Sequence, residues 1–134
     1  MTARMDGSFI EYVDFIDIVQ ETLETAPRAL FEKLVRFLLN RFHEQEVALQ
    51  RLALEIDEMH TLPVDDLDEF YDTTLQAVDD IKLFKKRLEP LKTKDRLFDE
   101  LYMQADKLQS ALVHYMDRMG QLEVRLLQEK RHSA

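Results

Sequence analysis

The chain has 134 residues, of which 46% are hydrophobic and 34% charged, with a formal net charge of −9. This length predicts one acidic domain over residues 1–134, and two glycines and three prolines are too few for a turn-rich sheet protein. The absence of cysteine excludes disulfide frameworks, thiolate metal sites and cysteine nucleophiles. No apolar run reaches the roughly 18 residues of a membrane span, so we expect none, and the absence of cysteine fits the cytoplasmic location that we expect.

Two helices are predicted in the first half of the chain. Ser8 and Glu11 have capping-box spacing, and polar residues recur at every third position of FIEYVDFIDIVQ, which predicts a helix near 8–25. The β-branched and aromatic content of this run also fits a strand, the competing interpretation. Pro27 suits the first turn of a second helix near 27–61. Its seam alternates steps of four and three, with one polar member: Phe31, Val35, Leu38, Phe42, Gln45, Leu49, Leu52, Ile56 and Met59.

Two more helices are predicted in the second half. Pro63 and the aspartates around it favour the start of a helix near 65–89, which Pro90 ends. A fourth helix is predicted near 94–130, unbroken by Gly120 because the apolar pattern continues in register past it. Its seam alternates steps of three and four: Phe98, Leu101, Ala105, Leu108, Leu112, Tyr115, Met119, Leu122 and Leu126.

The C-terminal end of the fourth helix is the predicted assembly surface. Short connections favour antiparallel neighbours, so the expected fold is all-α, an elongated antiparallel bundle of four helices with coiled-coil packing. The fourth helix outruns the third, and fully burying one large apolar side chain contributes ~1.5–3 kcal/mol. We therefore expect this end to pack on a second copy or another helical protein, unless a bent helix covers its own tail. The predicted interface comprises Met119, Leu122, Val124, Leu126 and Leu127.

Positive charge is concentrated in one segment, KLFKKRLEPLKTKDR, residues 82–96. There is no lysine or arginine between positions 52 and 81, where acidic residues crowd the preceding turn, so we expect a molecule polarised end to end. Helix-dipole effects account for basic residues that end the third helix but not for those near the start of the fourth. A solvated bundle end is the plain interpretation, and contact with an acidic partner or a phosphate backbone is the functional one. The basic residues are Lys82, Lys85, Lys86, Arg87, Lys92, Lys94 and Arg96.

A carboxylate cluster is the one sign of enzyme chemistry. Asp65, Asp68, Glu69 and Asp72 have spacings of three and four on one helix face, a pattern that Mg²⁺ could bridge. The inward positions of the same helix are apolar, however, and the sequence has a single Glu-x-x-His spacing, Glu129 and His132, whereas a di-iron bundle needs such pairs on two facing helices. Two glycines cannot build a phosphate-binding loop. We therefore predict no catalytic, cofactor-binding or metal site.

These patterns predict a non-enzymatic protein–protein interaction, scaffold or adaptor protein that acts by helix packing and self-associates. The expected partner is a second copy, as a homodimer, or another helical protein. Two alternatives remain open. One is a nucleic-acid-associated regulatory protein that uses the basic turn 82–96, and the other is a carboxylate–metal nucleotide hydrolase.

Overall fold

The computed structural model describes residues 9–132, and this part of the chain forms four α-helices and no strand. Helix α1 spans Ile10–Thr25, α2 Arg28–Ile56, α3 Leu67–Leu88 and α4 Arg96–His132, and the 3₁₀ turn Glu89–Leu91 follows α3. The helices pack side by side, so the predicted all-α bundle is confirmed. Within residues 9–132, no helix combines the length and apolar character that a membrane crossing needs.

The N-terminal run is a helix, as predicted, and not a strand. Its inward positions Phe9, Val13, Ile16 and Val19 are all at most 3% exposed. Phe9 occupies the N-cap position and makes no side-chain cap hydrogen bond. The capping box predicted from Ser8 falls outside the described residues. The apolar period of about 3.6 residues therefore outweighs the β-branched composition of the run.

Helix α2 ends at Ile56, five residues before the predicted end at 61. The chain tightens there, because the backbone N–H groups of Glu58 and Met59 donate to the carbonyls of Glu55 and Ile56, at 3.1 Å each. Residues 57–66 then form an irregular connection whose apolar side chains pack against the end of α4. The early end therefore frees residues 57–66 to pack as a non-helical segment, although no residue before Pro63 breaks a helix.

Helices α2 and α4 lie side by side and run in the same direction. The rings of Phe31 and Phe98, near the two N-termini, have centroids 5.5 Å apart. Further along, Gln104 donates to Glu46 at 2.8 Å. Each consecutive pair of helices is antiparallel, as the sequence predicts, but the packing of α2 on α4 is not apparent from the connections.

Helix α1 lies over the groove between α2 and α3. It contacts both of them, whereas the Cα atoms of α2 and α3 stay more than 8 Å apart. The start of α1 is beside the middle of α2, where the rings of Phe9 and Phe42 have centroids 6.1 Å apart. From there α1 runs back towards the short connection at Ala26 and Pro27. It therefore covers only the first half of α2.

The core divides into two clusters. The larger one follows α2, α3 and α4 and includes the buried face of α1, with the Phe42 ring against that of Phe84 at 5.0 Å. The smaller one, at the other end of the bundle, is built on Ile56, Met119 and Leu122. The first half of the bundle is therefore four helices deep, and the second half has three helices and the 57–66 connection.

Candidate interaction surfaces

The structure divides the predicted assembly interface on α4. Met119 and Leu122 are 0% and 2% exposed, so the expectation that they lack cover is wrong. Leu126 is half-buried against the same small cluster. Val124 and Leu127 are 52% and 57% exposed, as expected for an uncovered face. Only the latter two offer most of their apolar surface to a partner.

The connection 57–66 is what covers the inner side of the α4 end. Met59 and Val64 pack against the cluster of Met119 and Leu122. Arg125 fixes the connection, because its guanidinium donates to the backbone carbonyl oxygens of Asp57, at 3.1 Å, and of Met59. The sequence gives no periodic signal for such cover, since these residues are not helical.

An apolar stripe remains on the outer side of α4. It comprises Val113, Met116, Gly120, Val124 and Leu127, at steps of three, four, four and three residues, and is called the α4 stripe below. Val113 is 44% exposed, and the first four members line a shallow groove along the helix. At 1.5 Å per residue the stripe is about 21 Å long. It is therefore a second helical seam, beside the one that the bundle buries, because most of its members directly follow a residue of the buried seam.

Gly120 lies in the middle of the stripe and also where α3 comes close. A Cβ atom at this position would lie 3.3 Å from the Tyr71 hydroxyl oxygen, tighter than an ordinary contact. Burial, and to a lesser extent the charge of Glu123, raise the pKa of the Tyr71 hydroxyl above its ordinary value. The α4 helix passes Gly120 without a break, as predicted.

Part of the basic turn is neutralised within the chain. Lys85 donates to Asp106 at 2.7 Å, and Lys92 lies 3.7 Å from Asp99. Both ammonium groups also lie over the ring of Tyr102, at 5.3 and 4.1 Å from its centroid. These two cations stabilise the packing of the turn on α4 through ion-pair and cation–π contacts.

The remaining basic residues face solvent. Arg96 is paired with Glu100 at 3.6 Å, one helical turn away. The others form no ion pair within residues 9–132: Lys82, Lys86, Arg87 and Lys94. This turn and the acidic turn lie at opposite ends of α3, about 33 Å apart for 22 residues. Two lysines of the turn, Lys85 and Lys92, therefore have a structural role, and the four basic residues without an ion pair in this part of the chain are available to a partner.

Asp95 fastens the same turn to the start of α2. Its carboxylate forms a two-point ion pair with Arg28 and accepts a hydrogen bond from the Leu97 backbone N–H at 2.9 Å. It therefore caps α4 and joins it to α2. The bond from Arg28 is the main reason why the pKa of Asp95 is below its ordinary value.

Replacing Asp95 with alanine is expected to lower the free energy of unfolding by about 1 kcal/mol, the usual contribution of a helix cap. Because the folded-state pKa is lowered, this contribution is present above the unfolded value near 3.8 and is lost as pH falls through the folded pKa. Urea unfolding of both proteins at neutral pH and at pH about 2 measures this difference. Asp79→Ala, at an exposed site on α3, is the control. An equal loss in the control, or a pH-independent loss, would contradict the assignment.

A cleft of 640 Å³ opens between α2 and α3, beyond the start of α1. Its exposed edge carries the carboxylates of Asp65, Asp66 and Glu69. Gln45, the polar member of the α2 seam, also lines it and is the one sequence signal that points there. We call it the α2–α3 cleft. Its apolar lining comes from three helices and the connection: Ala48, Leu49, Leu52, Val64, Phe70 and Tyr115.

The carboxylates of the hydrolase alternative do not converge. Asp65 and Glu69 line the α2–α3 cleft, whereas Asp68 and Asp72 are exposed on α3 outside it. Asp66 caps α3 by accepting a hydrogen bond from the Glu69 backbone N–H at 3.0 Å. Among residues 9–132, no group of three or more histidine or acidic side chains is arranged to hold a metal ion. This arrangement gives the hydrolase alternative no support.

No protein-family model, no curated protein and no solved structure matches this chain. Functional proposals therefore rest on the two apolar surfaces, the α4 stripe and the α2–α3 cleft, and on the charges beside them.

Proposed function

We propose that this protein is a non-enzymatic interaction or scaffold protein that self-associates through the α4 stripe. The observation that carries the proposal is the exposure of Val113, Val124 and Leu127, which are 44%, 52% and 57% exposed on one helix face. Large apolar side chains aligned at helical spacing are typical of a surface that packs on another helix.

A second copy is the occupant that the stripe itself favours. In a two-fold pair the same patch contacts itself, so the surface must be self-complementary. Gly120 is the midpoint of the stripe, seven residues from both Val113 and Leu127. An antiparallel pair centred on Gly120 places Val113 of one copy opposite Leu127 of the other. Gly120 also lines the shallow groove of the stripe, in which large side chains of the second copy can pack.

Absolute mass by light scattering on a sizing column, at low and high salt, tests the proposal. The wild-type protein is expected to elute at twice the monomer mass at both salt concentrations, because apolar contacts are not screened. The double variant Val124→Asp with Leu127→Asp is expected to elute as a folded monomer. Both positions are more than half exposed, so the charges enter solvent in the monomer.

Leu54→Asp is the matched control. Leu54 is 71% exposed on α2, away from the stripe, and this variant is expected to keep the wild-type mass. Circular dichroism confirms that all variants remain helical. A wild-type monomer at both salts, or a double variant that stays dimeric, would reject the proposal. Leu126 is unsuitable for this test because it also packs in the small core cluster.

Nucleic-acid regulation through the basic turn is the second candidate function. It is supported by the four exposed cations without an acidic partner in the described residues, Lys82, Lys86, Arg87 and Lys94. Exposed lysine and arginine side chains of this kind can neutralise the phosphates of a nucleic acid. It ranks below self-association because Lys85 and Lys92 are held by Asp106, Asp99 and the Tyr102 ring.

A further inference from the structure

The α2–α3 cleft is the continuation of a groove that the chain already fills with one of its own helices. In the first half of the bundle, α1 occupies the space between α2 and α3. It does so with an apolar side whose members Val13, Ile16 and Val19 are at most 3% exposed. The start of α1 is beside Phe42, and the lining of the cleft begins at Gln45, one turn further along α2. Within residues 9–132, the cleft is therefore the part of this groove that lies beyond the start of α1.

The dimensions and lining of the cleft suit the side chains of a helix. Leu49 of α2, Phe70 of α3 and Tyr115 of α4 provide its apolar walls. Phe70 and Tyr115 are packed edge to face at 5.4 Å, so the wall is well defined. A volume of 640 Å³ can receive a few large apolar side chains, and it lies within the ordinary range of binding sites.

The charges at the edge of the cleft indicate the charge of a helix that could bind there. Asp65, Asp66 and Glu69 lie on its exposed edge, and no basic residue is part of the lining. The chain has no lysine or arginine at all between positions 52 and 81. Like charges repel and opposite charges attract across such an edge, so an acidic segment is disfavoured and a basic one is favoured.

We propose that the α2–α3 cleft binds a short amphipathic helix of a partner protein, with apolar residues at steps of three and four and lysine or arginine beside them. The apolar side chains contact Leu49, Phe70 and Tyr115, and the cations face Asp65 and Glu69. This is helix-in-groove recognition, and α1 is its intramolecular counterpart. The cleft and the α4 stripe share no residue, so the two proposals succeed or fail separately.

A labelled leucine–lysine peptide of about 12 residues, about 18 Å long as a helix, is the probe for this proposal. Fluorescence anisotropy with the full chain is expected to show binding that weakens with salt. A scrambled peptide of the same composition, which lacks the apolar face, is expected to bind at least about tenfold more weakly.

Two double variants separate the cleft from general negative charge. Asp65→Asn with Glu69→Gln removes two of the three carboxylates of the cleft edge and keeps Asp66, which caps α3, and affinity is expected to fall at least about tenfold. Asp68→Asn with Asp72→Asn changes the net charge equally, at exposed positions of α3 outside the cleft. This control is expected to stay within about twofold of the wild type. Equal losses in the two double variants would overturn the proposal.

Filling the cleft is the steric test. Ala48→Phe places a ring in the lining and is expected to weaken peptide binding at least about tenfold, whereas Ala29→Phe, at an exposed site on α2, is expected to have little effect. Unchanged binding to the Ala48 variant overturns the proposal. If the Ala48→Phe protein instead has a lower oligomeric mass than the wild type in the absence of peptide, a second copy occupies the cleft. The partner-helix proposal would then be wrong.

Discussion

Replacing Phe42 with alanine is expected to lower the free energy of unfolding by about 3–5 kcal/mol, the usual cost of deleting a buried phenyl ring. Phe42 is 0% exposed and joins three helices through its ring contacts. Its ring lies 6.1 Å from that of Phe9, 5.2 Å from that of Tyr12 and 5.0 Å from that of Phe84. The substitution therefore removes apolar contacts and leaves a cavity where α1, α2 and α3 meet. A domain stability of about 5–15 kcal/mol makes this a large fraction of the total.

Phe37→Ala is the control for the Phe42 substitution. It makes the same chemical change on the same helix at a position that is 55% exposed, and it is expected to cost less than about 1 kcal/mol. Urea unfolding followed by circular dichroism measures both variants. If the two variants lost equal stability, Phe42 would not be the junction of the three helices.

Replacing Leu122 with alanine is expected to lower the free energy of unfolding by about 2–5 kcal/mol. Leu122 is 2% exposed and packs with Ile56 and Met119 in the small core cluster, which residues of the 57–66 connection also cover. The substitution opens a cavity under that connection. Hydrogen exchange of the 57–66 backbone is expected to accelerate more than that of α1, because α1 packs on the larger cluster.

Leu54→Ala is the matched control for Leu122. Leu54 is 71% exposed, and its replacement is expected to change stability by less than about 0.5 kcal/mol. If Leu122→Ala left stability unchanged, the Leu122 side chain would not be part of the core. It would then be available to a partner, as the sequence predicts for the assembly surface. The expected loss would instead restrict that surface to the exposed residues Val124 and Leu127.

The sequence by itself was sufficient for the helices and their inward faces. Apolar steps of three and four place one residue per turn on the same side, so the seams of α2 and α4 can be read without coordinates. The seam residues from Phe31 to Phe42 and from Phe98 to Leu112 are all buried. Pro27 and Pro90 lie at helix boundaries because proline restricts the backbone locally. These features depend on neighbours along the chain.

Which apolar residues at the end of α4 are buried depends on the path of a non-helical segment. Periodicity shows that Met119 and Leu122 are apolar and share a face, but not what covers them. The connection 57–66 covers them because α2 stops at Ile56, and its course is fixed by Arg125, which is 59 or more residues away along the chain. The neutralisation of Lys85 and Lys92 also depends on tertiary packing, because their partners Asp106 and Asp99 lie on α4.

The candidate sites were likewise decided by tertiary structure. The α2–α3 cleft exists because α1 lies between α2 and α3 and covers only half of the groove, whereas the sequence indicates only that α1 is shorter than α2. Much of the α4 stripe is exposed because α2 and α3 pack mainly on the buried seam beside it. Helix formation is local, and one sequence pattern describes it. A cleft or an open face is what remains after several helices pack, so no single segment of the sequence contains it.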